Sequence, residues 1–437
     1  MEKKNLLLWL AAIILSNAML SCASSDDDVE SGEVKKVVNM LTESEPIVLT
    51  QEQQRFANDN NGFTLNFLKT VNETDRSGKS FIYSPLSITY VLGMVNDAAT
   101  GETERELEQI LGFHEGGIQA VNDYCKKLIE GLPKVDNKVT LNIANALFVN
   151  KNKDKLKAQY QQDMQTYYDA KAENLDFNAP TTLSTINGWA SDHTNGMIPK
   201  ILDEINPEVV TYLLNAIYFK ADWTTKFDPK STKTETFTPE DGATVQLPLM
   251  HQNVLISYRK NDYYEAVEIP YGNGYWKMTV ILPVEGKSID EVINLLAQRG
   301  PYAKIYTGGE GKMFAPYEVD LKLPRFETNS DTNDIPIGLK GLLQKMGIQR
   351  AFNSYLADIP NMCERPVYIG MMLQKAAIKV NEEGSEAAAV TAAAMDNTCM
   401  GPAEYPKATF HANHPFVYCI TESSSGVILF VGKFTGR

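Results

Sequence analysis

Histidines stand at positions 114, 193, 251, 411 and 414, none in the His-Glu-x-x-His spacing that would hold zinc on one helix face. No Gly-x-Ser-x-Gly turn is present to expose a nucleophilic serine. Gly308-Gly309-Glu310-Gly311-Lys312 has the composition of a phosphate-cradling loop, but its glycine spacing is wrong and Met313 stands where a magnesium-binding hydroxyl is needed, so it reads as a surface turn. Tyr271-Gly272-Asn273-Gly274 reads as a turn between strands. Cys22, Cys125, Cys363, Cys399 and Cys419 fit neither a zinc nor a thioredoxin pattern. Neither metal, cofactor nor enzymatic turnover is expected.

What the chain offers instead is a segment suited to being acted upon. Glu382-Glu383-Gly384-Ser385-Glu386-Ala387-Ala388-Ala389-Val390-Thr391-Ala392-Ala393-Ala394 is a tract of small residues just after the strand-like Ala377-Ile378-Lys379-Val380. Alone, such a tract reads as a helix former or as a low-complexity linker. Together with its neighbours, Val380 to Ala389 resembles the proximal hinge of an inhibitory serpin. Phe410-His411-Ala412-Asn413-His414-Pro415-Phe416-Val417-Tyr418-Cys419-Ile420 fits the motif that family carries downstream of the hinge. Further matches are Phe81 to Ile88, Asn145 to Val149, Ile186 to Trp189, Leu214 to Trp223, Leu323 to Phe326 and Ala357 to Ile359. The resemblance to the serpin family runs from about residue 49 to residue 437.

This resemblance implies an α+β, single-domain fold with a large central β-sheet, flanking sheets, a cluster of helices and an exposed reactive-centre loop. It also implies a protease inhibitor acting as a suicide substrate: the loop is cut, inserts into the central sheet and traps the protease as a covalent acyl complex. Such an insertion is a form of strand addition, in which main-chain ladder bonds supply the driving energy. The implied hinge comprises Glu382, Glu383, Gly384, Ser385, Glu386, Ala387, Ala388, Ala389 and Thr391. Counting from Gly384 as the family does puts the cleaved bond at Thr398-Cys399, with Met395, Asn397, Met400 or Tyr405 as alternatives because the stretch to Pro415 is longer than usual. Threonine or methionine there suits elastase-like, chymotrypsin-like or papain-like pockets. Ser84, Ser87 and Asn215 match the polar cluster where the sheet parts, and Gln374 stands where the family usually has histidine. An amide both donates and accepts, so the cluster is expected to hold while losing its response to pH.

The residues themselves support competence for insertion. Successive side chains of a strand face opposite ways. One set, Ser385, Ala387, Ala389, Thr391, Ala393 and Met395, is small or apolar, while Glu386 and Asp396 fall on the other. A non-inhibitory serpin fold serving as a surface binding protein, the competing reading, predicts charge or bulk on the inward set.

The elements that must position this segment are mixed. Ser84-Pro85 looks like an N-cap and first helical position, and Gly112 and Gly347 look like helix stops. Thr103 with Glu106 has the spacing of a capping box. Leu141 to Val149, Tyr212 to Phe219, Met278 to Leu282, Val319 to Leu323, Phe416 to Thr421 and Val427 to Phe434 are rich in β-branched and aromatic residues and read as strands.

With 437 residues and 43% hydrophobic content the chain can bury a large core. A net charge of -14 excludes a phosphate-binding surface, so no nucleic acid is expected. Lys3 and Lys4 precede an apolar run ending at Ser21-Cys22, which reads as a signal peptide over residues 1–21. Met19-Leu20-Ser21-Cys22 resembles the lipobox of bacterial lipoproteins, departing from it at Met19 and Leu20. It implies a lipid on Cys22, a membrane anchor, and an acidic tether over residues 22–48 ahead of the domain at 49–437. The expectation is an exported, monomeric lipoprotein of the outer membrane or cell surface, facing outward. Cys125 and Cys419, in apolar runs, read as buried free thiols.

Overall fold

The computed structural model describes residues 44–114, 116–298, 314–385 and 404–437. Helices α1 (Gln51–Thr74), α2 (Pro85–Ala98), α3 (Gly101–Leu111) and α4 (Gly117–Gly131) come early. Helices α5 (Ala158–Tyr168), α6 (Thr182–His193), α7 (Ile289–Gln298) and α8 (Gly338–Met346) are dispersed among strands. The first strands are β1 (Phe81–Tyr83), β2 (Val139–Asn150), β3 (Lys171–Leu175), β4 (Thr211–Asp222) and β5 (Lys233–Phe237). Next come β6 (Val245–Lys260), β7 (Tyr264–Tyr271), β8 (Trp276–Pro283), β9 (Ala315–Pro324) and β10 (Phe326–Asp331). The last are β11 (Met371–Val380), β12 (Gly384–Ser385), β13 (Lys407–His411), β14 (Phe416–Glu422) and β15 (Ile428–Phe434).

Local chemistry sets the helix ends. Thr50 and Gln53 close a capping box on α1, each side chain accepting from the other's backbone N–H at 3.2 Å. Ser84 caps α2, with Pro85 at a position that needs no N–H. Gly112 and Gly347 end α3 and α8 in the left-handed region, at φ 84° and 116°. The capping box expected at Thr103 and Glu106 does not form: α3 starts three residues earlier, after Thr100, and makes no side-chain cap bond. Thr103 Oγ1 instead accepts from the Asp358 N–H at 3.0 Å, and Glu106 accepts from the N–H groups of Gln349 and Arg350.

The central sheet has the order β10-β11-β12-β4-β2-β3. The flanking strands join into one nine-stranded sheet, β1-β15-β14-β8-β7-β6-β9-β13 with β5 on β6, because the long β6 pairs with β7 near one end and β9 along its length. Both faces of the central sheet are covered, which explains why β4 from Tyr212 to Phe219 is apolar on both faces apart from Asn215 and does not alternate. Leu213, Ile217 and Phe219 join the main core, while Leu214 and Ala216 pack with Ile186, Trp189 and Ala190 of α6. Cys125, Cys363 and Cys419 are free and buried.

Candidate functional site

β11 and β4 run parallel and pair from Met371 opposite Tyr212 to Lys375 opposite Ala216. Past Lys375 that pairing ends and the strands part. In the mouth of the gap sits β12, antiparallel to both neighbours: Ser385 pairs with Val380 on one side and Ala221 on the other, and Gly384 pairs with Asp222. Between this plug and the closed part of the sheet, Ala376–Lys379 and Ile217–Lys220 face one another with no strand between them among the described residues.

The plug is held on every side. Ser385 is fully buried, and its Oγ lies 2.7 Å from the Tyr271 hydroxyl. The Tyr271 ring stacks on Trp223, centroids 4.3 Å apart and planes at 11°. Burial pushes the Tyr271 phenol far above its ordinary range, so it stays protonated and the pair always has a proton to share. At Gly384 the backbone runs so close to β4 that a Cβ would lie 2.0 Å from the Ala221 carbonyl oxygen and 2.6 Å from Asp222 Cα. Only glycine fits.

Upstream, Asn381 shapes the turn: its Oδ1 accepts from the N–H groups of Glu383 at 3.0 Å and Gly384 at 3.3 Å. Trp223 Nε1 donates to the Asn381 carbonyl at 2.9 Å, and the backbone N–H groups of Trp223 and Phe227 donate to the carbonyls of Glu383 and Glu382. The Glu382 carboxylate accepts from Thr232 Oγ1 at 2.6 Å and from the Arg325 guanidinium. Burial alone would raise its pKa, but the bonds from Arg325 and Thr232 outweigh that and hold the carboxyl below the usual range. Lys226 bridges Glu383 and Asp222.

At the closed end of the gap the structure gathers Ser84, Ser87, Asn215 and Gln374, all buried. Gln374 Oε1 accepts from the Ser84 N–H at 2.9 Å, and its Nε2 donates to the Ser84 carbonyl at 2.9 Å and Asn215 Oδ1 at 3.2 Å. Ser84 Oγ donates to Ser87 Oγ at 3.0 Å and to the Leu429 carbonyl at 2.7 Å. Asn215 and Gln374 face each other in the β4–β11 register, so this network sits one pair before the point where the strands part.

Sequence reasoning missed several participants. Asn145 accepts from Asn215 Nδ2 at 3.0 Å, and Thr332 bonds the backbone of Gln374. Asn145, Trp223 and Arg325 belong to the short matches noted in the sequence, a signal for membership but not for role. Thr232, Tyr271 and Thr332 gave no signal. Glu386, Ala387, Ala388, Ala389, Thr391, Met395, Asn397, Thr398, Cys399 and Met400 lie outside the described residues, as does Cys22.

Residues 58–436 match the profile of a family described as Serpin (serine protease inhibitor). The chain is 30% identical over 387 residues to Serpin B6 of Macaca fascicularis, covering 87% of this chain and 98% of that protein. It superposes on the native state of the thermophilic serpin tengpin with a TM-score of 0.76 at 27% identity, covering 91% of this chain and 98% of that one. Human thyroxine-binding globulin, solved with its ligand, gives a TM-score of 0.72 at 26% identity, covering 87% and 97%.

Proposed function

The chain belongs to the serpin family, and we propose that it inhibits elastase-like, chymotrypsin-like or papain-like endopeptidases as a suicide substrate. The observation carrying this reading is the two-residue strand β12, started between two parallel neighbours that, among the described residues, have no strand between them ahead of it.

The chemistry begins with the protease. Its nucleophile attacks the carbonyl carbon of Thr398, the bond to the Cys399 nitrogen breaks, and the new amine leaves carrying a proton. The acyl bond then ties the protease to the severed hinge. Continued in the register of β12, residues 386–394 would lie opposite Lys220 to Tyr212 of β4 and Lys379 to Met371 of β11. Thr391 would enter between Asn215 and Gln374, where its hydroxyl can replace the amide–amide bond that insertion breaks. About ten new ladder bonds at roughly 1 kcal/mol net each supply on the order of 10 kcal/mol. That release makes the uncut form a kinetically held state. The inward side chains are small or apolar, which weighs against a purely ligand-binding role like that of thyroxine-binding globulin.

A lipid on Cys22 would hold the inhibitor on the outward-facing cell surface, where it would meet foreign proteases. The test is to mix protein lacking residues 1–22 with elastase, subtilisin, trypsin and papain, then follow denaturing gels and intact mass. A stable covalent complex, with the released C-terminal peptide beginning at Cys399, is expected. Clean loop cleavage with no complex overturns the proposal and turns the search to ligands.

A further inference from the structure

Outside the gap, one cluster of titratable side chains spans three strands. His251 Nε2 of β6 lies 2.7 Å from Asp320 Oδ1 of β9, and His411 Nε2 of β13 lies 3.0 Å from Asp320 Oδ2. Each oxygen of one carboxylate thus takes one imidazole, and the two imidazoles come from strands on opposite sides of β9. β13 ends its sheet and pairs with β9 over five residues, Lys407 to His411, so this cluster ties an edge strand across β9 to β6. The site borders a groove of about 760 Å³ that includes Asp320, so bulk protons reach it.

We propose that His251, Asp320 and His411 form a proton-dependent clamp that fixes β13 to the sheet, tightening as the medium acidifies and prolonging the life of the uninserted form. An ionised carboxylate only accepts, so both Nε2 atoms carry hydrogen, and a second proton enters at Nδ1. Each contact, until then a neutral N–H on a carboxylate, becomes an ion pair with opposite charges on both partners. The other charges on this face leave Asp320 to answer that change. Lys322, in register with both histidines, is held by Glu235 of β5 at 2.7 and 2.8 Å. Glu318 is paired with Lys407 at 3.7 Å. Burial acts to raise the Asp320 pKa, but the two imidazoles outweigh it and keep the carboxyl below its usual range.

Holding β13 matters because it is the strand in which the reactive segment ends. If nine residues insert uncut beside β4, the chain must descend and return, each leg about 30 Å, with about twelve residues left for the return. A return of about 30 Å uses about nine of those twelve residues fully extended, so little slack is left for the turn and the crossing, and any shortfall pulls on β13. This significance rests on the inhibitor reading, whereas the clamp itself does not.

The test is hydrogen exchange of the Lys407–His411 amides in the protein and in His251→Gln/His411→Gln, whose amides keep an N–H donor but take no charge. Taking the ratio at each pH cancels intrinsic exchange chemistry. Opening of β13 should be roughly tenfold slower in the unsubstituted protein at about pH 5.5, with the ratio approaching one at about pH 8. Asp320→Asn should abolish the pH trend with both histidines present. A ratio independent of pH, or a trend that survives Asp320→Asn, overturns the clamp. Because exchange needs no protease, failure to trap any protease would sink the inhibitor reading and leave the clamp standing; trapping with a flat exchange ratio would do the reverse.

Discussion

Replacing Ser385 by arginine puts a guanidinium at a fully buried position of the sheet. The native side chain is fully buried, between Val380 and Ala221 in the sheet, with its Oγ 2.7 Å from the Tyr271 hydroxyl. The phenol is held protonated by burial, so it cannot supply a counter-charge. Burying an unpaired charge costs several kcal/mol even after relaxation. The hinge avoids that cost by staying out, and the barrier to insertion rises instead. A rise of about 3 kcal/mol slows insertion more than a hundredfold, enough for water to hydrolyse the acyl bond first. Ser385→Ala, in contrast, loses one hydrogen bond worth about 1 kcal/mol and leaves the path dry. The assay is the ratio of covalent complex to cleaved inhibitor on denaturing gels across a titration of protease. The arginine variant should give cleaved product alone, and the alanine variant mostly complex. Arginine-variant complex at the unsubstituted yield would refute the idea that this position must enter the core.

Gln374→Ala leaves the Ser84 N–H and Asn215 Oδ1 without partners in a buried network, so unfolding in urea should come earlier by about 2 kcal/mol; no change would mean water restores the bonds. Gly384→Val forces the backbone away from β4 and should free β12, seen as changed Trp223 fluorescence and loss of Tyr271 burial; an unaltered spectrum would contradict the close approach. The Glu382 carboxyl is depressed in the folded state, so its contribution is complete above the ordinary glutamate range and is lost as pH falls through the depressed value. Unfolding midpoints taken at about pH 6 and about pH 3 should therefore differ less in Glu382→Gln than in the unsubstituted protein, and equal slopes would argue against the Arg325 and Thr232 anchors. Burial pushes the Cys363 and Cys419 thiols up to about 12, so both should resist a thiol reagent at neutral pH until the protein is unfolded.

The strands were legible because their covering is two-sided or their residues β-branched, and the helix stops because a left-handed turn demands glycine at Gly112 and Gly347. Thr103 misled for a physical reason. Its spacing to Glu106 is that of a cap, but both side chains serve distant backbone, at Asp358 and at Gln349 and Arg350, and no local pattern records such a partner. The site divides the same way. The hinge turn and Ser84, Ser87, Asn215 and Gln374 carry family spacing. Tyr271, however, meets Ser385 from 114 residues away, and Thr232 meets Glu382 from 150, across sheets whose register is fixed only by the finished fold. The clamp was invisible for a related reason: His411 lies in the family motif, but nothing in the sequence ties it to His251 or Asp320 until β6, β9 and β13 lie side by side.

An alanine-rich strand is poor at choosing its own alignment, since sliding it by two positions exchanges one small side chain for another. Ala387-Ala388-Ala389 and Ala392-Ala393-Ala394 would tolerate such a slip, and a slip of one would turn Glu386 into the core. The contact that only Gly384 permits and the Tyr271–Ser385 bond fix the first two rungs before any protease arrives. On the inhibitor reading, insertion would run as a zipper already engaged at its starting tooth: speed would be gained because no search for alignment is left, and fidelity because every later residue would inherit its partner from the one before.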